Sequence, residues 1–278
     1  MLTAPAPPQT PDAQTPDAQT ADGQAGLRSV SIAVSVIDCF ATHRELGATQ
    51  VARELGVAKS TACRTLAALA AGGLLERAGG GRYRLSLRIF ELGVLAAERM
   101  PVRDLARPVL MDLQEQLREM VQLGVPVAGH VVYIDRYGNS TRLGHQLSGE
   151  VMRRVPGYSS SSGRALAAFD ERIMRDTLAV PRRKHTPFTI TDTERLDRVL
   201  RTTRTAGWVA TREEFQPGFS SVAAPVLVRA ADGARPTAAI SVVGPTNHIL
   251  GLRKDFIVAS VCRAARRVSS LLAQASED

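Results

Sequence analysis

The chain has 278 residues, 44% of them apolar, and a formal net charge of +8. That apolar content supports a folded core and excludes a globally disordered chain. No apolar run approaches the roughly 20 residues of a membrane-spanning helix. With no Lys or Arg before Arg28, the N-terminus lacks the layout of a secretory signal.

Cys39, Cys63 and Cys262 lie far apart, with no CxxC pair. This argues against a disulfide scaffold and a cysteine zinc site, and it points to a reducing cytoplasm. His43, His130, His145, His185 and His248 show no metal-ligand spacing, so no metal or other cofactor is expected. Lys59, Lys184 and Lys254 are the only lysines, so arginine supplies most of the positive charge. Excess basic charge makes polyanions such as nucleic acid the first partner to consider.

Residues 1–26 read as a disordered tail. The repeat from Thr10 to Gln24 is polar and holds no large apolar residue. It cannot offset its own ordering entropy. From Leu27 to Ala41 the pattern is helical, with Leu27, Val30, Val34, Ile37 and Ala41 recurring every three or four residues. Thr49 is the expected N-cap of a short helix, and Gly56 its left-handed C-cap. A third helix is predicted from Lys59 to Ala71, burying Ala62, Leu66 and Leu69. Two short strands then flank Gly79-Gly80-Gly81 as a hairpin.

Three helices and a hairpin in this order predict a winged helix-turn-helix. With its apolar face inward, the third helix points Lys59, Ser60, Thr61, Arg64 and Thr65 outward near its N-terminal end. Such groups reach base edges and phosphates in a major groove. Between Leu27 and Phe90 there are nine Lys plus Arg against four Asp plus Glu.

Beyond Ser86 the chain is helical again, and a second amphipathic helix is expected from Val102 to Met120. Pro108 is tolerable if it sits in the first turn. Strands follow at Val121 to Val125 and His130 to Tyr137. Helices are predicted at Ser160 to Phe169, Asp170 to Leu178 and Thr193 to Ala206. Strands at Trp208 to Arg212, Val222 to Val228 and Ala238 to Val243 precede a last helix from Leu252 to Ala275. This is an α+β domain with an antiparallel-leaning sheet flanked by helices. Ser159 to Ser162 does not fit a G-x-S-x-G elbow, because Ser161 stands where glycine is needed. Capping and ligand contact are the expected roles of these serines.

Three segments together resemble the IclR family of bacterial transcriptional regulators. The first runs from Gln50 through Val57-Ala58-Lys59-Ser60-Thr61-Ala62-Cys63-Arg64 to Leu66, followed by Gly73-Leu74-Leu75 and Arg82-Tyr83-Arg84-Leu85. The second is Gly163-Arg164-Ala165-Leu166-Ala167-Ala168. The third comprises Glu214 through Gly218, then Ala223 to Val226 and Ala239 to Pro245. The resemblance implies a winged helix-turn-helix domain at 27–87, a linker helix at 88–101 and a GAF-like effector-sensing domain at 102–278. It implies binding to a double-stranded DNA operator, modulated by a small-molecule carboxylate or aromatic catabolite. It also implies homodimers, often paired into homotetramers, with no enzyme activity and no membrane association.

Carried over position by position, the resemblance assigns DNA contact to Lys59, Ser60, Thr61, Arg64 and Thr65, with Arg82 and Arg84 in the wing. Effector contact falls to Leu147, Ser161, Ser162, Thr211, Phe219, Ser221, Ser241 and Val243. Cys63 stands where many members carry histidine. Ser221 stands where some carry cysteine, and Val243 where some carboxylate-sensing members carry serine. Those replacements imply a less polar or larger effector. Two other classes remain open: a serine-dependent enzyme with an accessory nucleic-acid-binding domain, and a sequence-nonspecific nucleoid protein.

Overall fold

The computed structural model describes residues 18–138, 154–230 and 233–276. They form two compact units that divide after Leu92.

The first unit contains α1 (Ala18–Cys39), β1 (Leu46–Gly47), α2 (Ala48–Leu55), α3 (Lys59–Ala71), β2 (Leu75–Ala78) and β3 (Arg82–Leu85). Helix α4 (Leu87–Glu98) spans the division. Helix α1 begins inside the segment read as a tail. The alanines at 18, 21 and 25 are strong helix formers, which a reading based on lost hydrophobic burial overlooks. Its buried face also differs from the expected one. Val36 and Phe40 enter the core beside Ile32 and Ile37, whereas Leu27, Val30 and Val34 are exposed.

Helix α2 starts one residue before Thr49, with Gly47 at the N-cap and no side-chain cap. The reason is β1. Leu46 is fully buried and pairs with Tyr83 of β3, which fixes the helix entry. Gly56 closes α2 in the left-handed region (φ 63°), and its N–H donates to the Ala52 carbonyl. Helix α3 has the predicted bounds and buries Ala62, Leu66 and Leu69. The hairpin pairs β2 with β3 from Leu75↔Leu85 to Ala78↔Arg82 around the three glycines.

The second unit is built on a six-stranded antiparallel sheet of order β6-β5-β4-β9-β8-β7. Its strands are β4 (Met120–Val127), β5 (His130–Tyr137), β6 (Arg154–Pro156), β7 (Val209–Arg212), β8 (Phe219–Ala230) and β9 (Gly233–Pro245). One face packs against α5 (Pro101–Leu117) and the C-terminal helix, Lys254–Ala275, through Val121, Leu123, Val222, Ile240 and Val242. Helix α5 ends three residues before Met120, because the chain turns at Arg118 in the left-handed region and Met120 enters β4. Pro108 sits in the helix interior.

The other face carries α6 (Ser161–Ala167), with α7 (Glu171–Ala179) and α8 (Thr193–Ala206) packed behind it. The side chains of Asp170 and Asp192 cap α7 and α8 by accepting from Ile173 and Arg195 N–H. A four-residue helix, α9 (Thr246–Ile249), precedes the C-terminal helix α10 and has no counterpart in the predicted elements. No helix among the described residues is long and apolar enough to cross a membrane.

Gly163 fixes how α6 meets the sheet. It packs directly on the backbone of Gly157, in the tight turn after β6, and a Cβ would overlap that backbone. Gly163→Ala should therefore destabilise the second unit by about 1–3 kcal/mol, as overpacking does. Urea denaturation of the full chain checks this, and an unchanged midpoint would contradict the packing argument.

Candidate functional site

In the first unit, Lys59, Ser60 and Arg64 are exposed on α3, while Thr61 and Thr65 are half-buried. No ion pair or side-chain hydrogen bond engages Lys59 or Arg64 among the described residues. The wing arginines differ. Arg82 donates to the Glu45 carbonyl (2.7 Å) and lies 3.5 Å from its carboxylate. Arg84 pairs with the Glu76 carboxylate across the hairpin. Both pairs are solvent-exposed, so water screens them and they yield readily to a phosphate. Cys63 is exposed on α3, not buried as a cysteine in a helix is by default. It falls on the outward face between Ala62 and Arg64.

The second unit holds a pocket between the sheet and the chain entering α6, partly open to solvent. Thr211, Phe219, Ser221 and Val243, four of the residues to which the resemblance gives effector contact, line it. Ser161 stands behind this wall. Its hydroxyl meets that of Ser221 at 2.7 Å, and Ser221 meets Thr211 at 2.7 Å. Helix α6 and strands β7 and β8 thus converge on one hydroxyl chain. Ser162 is fully buried and accepts from the Tyr133 hydroxyl at 3.4 Å. Ser241 is buried next to that phenol and has no partner at ordinary hydrogen-bond geometry. Burial pushes the Tyr133 phenol up from its ordinary value. Leu147 lies outside the described residues.

Other pocket residues escaped the sequence reading. Gln122, Tyr133 and Arg136 come from β4 and β5. Phe215 and Gln216 come from the loop before β8. Their inward side chains become apparent only once the strand register is known. The serine run does cap α6. Ser160 Oγ accepts from Gly163 N–H at 3.1 Å. None of its hydroxyls is hydrogen-bonded to a histidine among the described residues.

One buried ion pair braces the pocket wall. Arg164 on α6 is 1% exposed and holds the Glu214 carboxylate with both terminal nitrogens, Nη1 to Oε1 at 2.7 Å. Arg164 Nε donates to the Tyr158 carbonyl (2.9 Å), and Ile190 N–H donates to Glu214 (3.1 Å). Thr189 and Thr186 hydroxyls donate to the carbonyls of Glu214 and Glu213. This network positions Phe215 at the pocket. Behind Phe215, the His185 ring lies tilted with its centroid 4.9 Å away and meets the Tyr158 hydroxyl at 3.1 Å. Burial lowers the His185 pKa below the ordinary imidazole value. Arg182 ties its loop by donating to the Leu178 and Thr191 carbonyls.

Residues 94–270 match the family described as "Bacterial transcriptional regulator IclR C-terminal", and residues 29–79 match "IclR helix-turn-helix domain". The chain is 28% identical over 245 residues to the HTH-type transcriptional regulator KdgR of Escherichia coli K12, covering 87% of this chain and 91% of that one. It is 30% identical over 208 residues to the glycerol operon regulatory protein of Streptomyces griseus, covering 74% and 80%. Among solved structures it resembles an IclR homolog from Microbacterium hydrocarbonoxydans complexed with 4-hydroxybenzoate. There the TM-score is 0.70 at 27% identity, covering 87% of this chain and 98% of that one.

Arg164→Met should leave the Glu214 carboxylate buried and unpaired, costing about 3–5 kcal/mol. Arg164→Met combined with Glu214→Leu should recover much of that loss. Chemical denaturation of the single and double variants tests the pair as a unit. For His185, the lowered folded-state pKa means that the unfolded chain takes up a proton first as pH falls. Its stabilising contribution is therefore full above the unfolded value near 6.5 and is lost as pH drops through the folded value. Melting curves between pH 8 and 5 should fall less steeply in His185→Phe than in the native chain.

Proposed function

The chain belongs to the IclR family of bacterial transcriptional regulators, and we propose that it acts in the cytoplasm as a homodimer on a near-palindromic operator. It is a DNA-binding regulator with an effector-binding C-terminal domain, and not an enzyme. In this reading residues 27–87 form the DNA-binding domain. Residues 88–101 link, and residues 102–278 sense the effector.

The observation that carries the DNA reading is the exposed, uncommitted cationic end of α3. Lys59 and Arg64 stand beside Ser60 on the helix that a winged helix-turn-helix inserts in the major groove. Arg64 reads a base edge or a phosphate; Lys59, Arg82 and Arg84 anchor phosphates and set register. The self-association reading rests on exposed apolar side chains. Leu27, Val30 and Val34 form a stripe on α1, and Leu87, Phe90 and Leu95 are exposed on α4. Isolated exposed apolar residues are ordinary, but stripes of this kind at helical spacing belong to interfaces. A second copy of the same stripe is the self-complementary occupant under two-fold symmetry.

The effector is a small carboxylate or aromatic compound. Support comes from the aromatic and hydroxyl lining of the pocket and from the 4-hydroxybenzoate complex of the relative described above. Effector binding changes operator affinity by shifting the placement of the two DNA-binding domains through the linker helices. Couplings of this kind are typically about 1–3 kcal/mol, or roughly 5- to 150-fold in affinity.

Fluorescence anisotropy with the intergenic DNA beside the gene, against scrambled DNA over a salt titration, tests the reading. A preference of about a thousandfold or more is expected. Equal binding to both would favour a nonspecific nucleoid protein. Arg64→Ala should weaken specific binding by about 1–3 kcal/mol without lowering the melting temperature. Val30→Glu together with Val34→Glu should shift the sedimentation mass toward the monomer and weaken operator binding. A dimeric double variant would count against the stripe.

A further inference from the structure

The pocket contains a cation that strand alternation alone would have turned away from it. Tyr133 and Arg136 both line the pocket, yet they are three residues apart on β5 and would face opposite sides of a regular strand. The register explains this. Gly124 pairs with Tyr133 and Leu123 pairs with Asp135, so Ile134 is an extra residue at a β-bulge. Ile134 packs into the core beneath the sheet, and Asp135 pairs with Arg103 of α5 at 3.5 Å. The alternation then resumes out of phase, and Arg136 comes to lie on the pocket face. Bulges that re-aim one side chain recur beside functional sites.

Gln122, directly opposite on β4 and 4% exposed, orients the guanidinium. With its amide oxygen turned toward Arg136, it accepts from Nη2 at 3.1 Å and Nε at 3.2 Å. The Met120 sulfur lies 3.5 Å from Nη2. Arginine's planar donors match a carboxylate side-on.

The far end of the pocket is different. There Thr211 and Ser221 present hydroxyls from β7 and β8, while Phe215, Phe219 and Val243 supply apolar walls before them. From β5 to β8 is three strand spacings, about 14 Å. Side chains reaching in from both ends leave room for about one six-membered ring.

We propose that Arg136 is the specificity-determining residue of the pocket. It receives the carboxylate of a compact aromatic acid, whose ring lies between the phenylalanines and whose far substituent meets the Thr211–Ser221 hydroxyls. This rests on the reading of the pocket as the effector site.

The test uses two matched pairs of probes, benzoate with benzamide and 4-hydroxybenzoate with 4-hydroxybenzamide. Calorimetry and thermal shift are run on the full chain and on Arg136→Met, Arg136→Gln and Arg136→Lys. The native chain should prefer each acid over its amide by about ten- to a hundredfold, the range of a charge-assisted hydrogen bond. Arg136→Met and Arg136→Gln should lose that preference while still binding the amides, and Arg136→Lys should keep part of it. Arg136→Gln preserves a polar partner for Gln122, so it separates lost charge from lost folding. The melting temperature of each ligand-free variant provides the same control.

Equal affinity for acid and amide, retention of the acid preference in Arg136→Gln, or no binding of any probe overturns the proposal. Ser221→Phe fills the pocket and separates the two claims. If it abolishes binding of acids and amides that bind alike, the pocket stands and the carboxylate clamp falls. If it leaves binding intact, the ligand sits elsewhere and the pocket reading itself falls.

Discussion

The Arg164–Glu214 pair is the constraint around which the sensing unit is arranged. A guanidinium and a carboxylate removed from water cost several kcal/mol each unless every donor and acceptor is met. Here they are met from four directions: by each other, by the Tyr158 carbonyl, by Ile190 N–H, and by threonines holding the backbone on either side of Glu214. The requirement that both charges be satisfied at once fixes α6 against the loop before β8. That loop carries Phe215 and Gln216, and α6 starts from the serines. Both sides of the pocket therefore depend on one electrostatic requirement in its wall.

The sheet imposes the second constraint. Its helix-facing residues form one apolar core with α5 and α10, and the alternate residues face α6 or the pocket. A binding cavity on a sheet face needs polar groups on the face that packing leaves free, and β8 supplies one at Ser221. On β5 the alternation is broken, and the bulge restores Arg136 to the cavity side. Packing and recognition thus use the two faces of the same strands without competing.

Much of this was legible in the sequence. Helix α3 appears with its predicted bounds because its apolar spacing, its glycine stop and its lack of competing signals agree. Gly56 and Gly207 take the left-handed caps that only glycine adopts at little cost. The failures have equally local causes. On α1, two apolar stripes share one helix, and periodicity cannot say which one meets the core. Strand β1 is two residues long and leaves no pattern to detect, although it displaces the expected cap at Thr49. The pocket was half legible. Ser221 and Thr211 lie in segments with recognisable motifs, whereas Arg136 depends on a register shift and Phe215 on the buried pair beside it. A bulge has no compositional mark, and an ion pair fifty residues apart in sequence is visible only in the fold.

The short strand β1 has a consequence for how the molecule would meet DNA. By pairing with β3, Leu46 and Gly47 stitch the wing to the residue that begins α2. The wing is then no dangling hairpin that must be immobilised on contact. Its orientational freedom was surrendered during folding, when Leu46 entered the core. A surface prepared in this way presents its wing and helix to the double helix together, so little ordering remains to slow the capture of an operator.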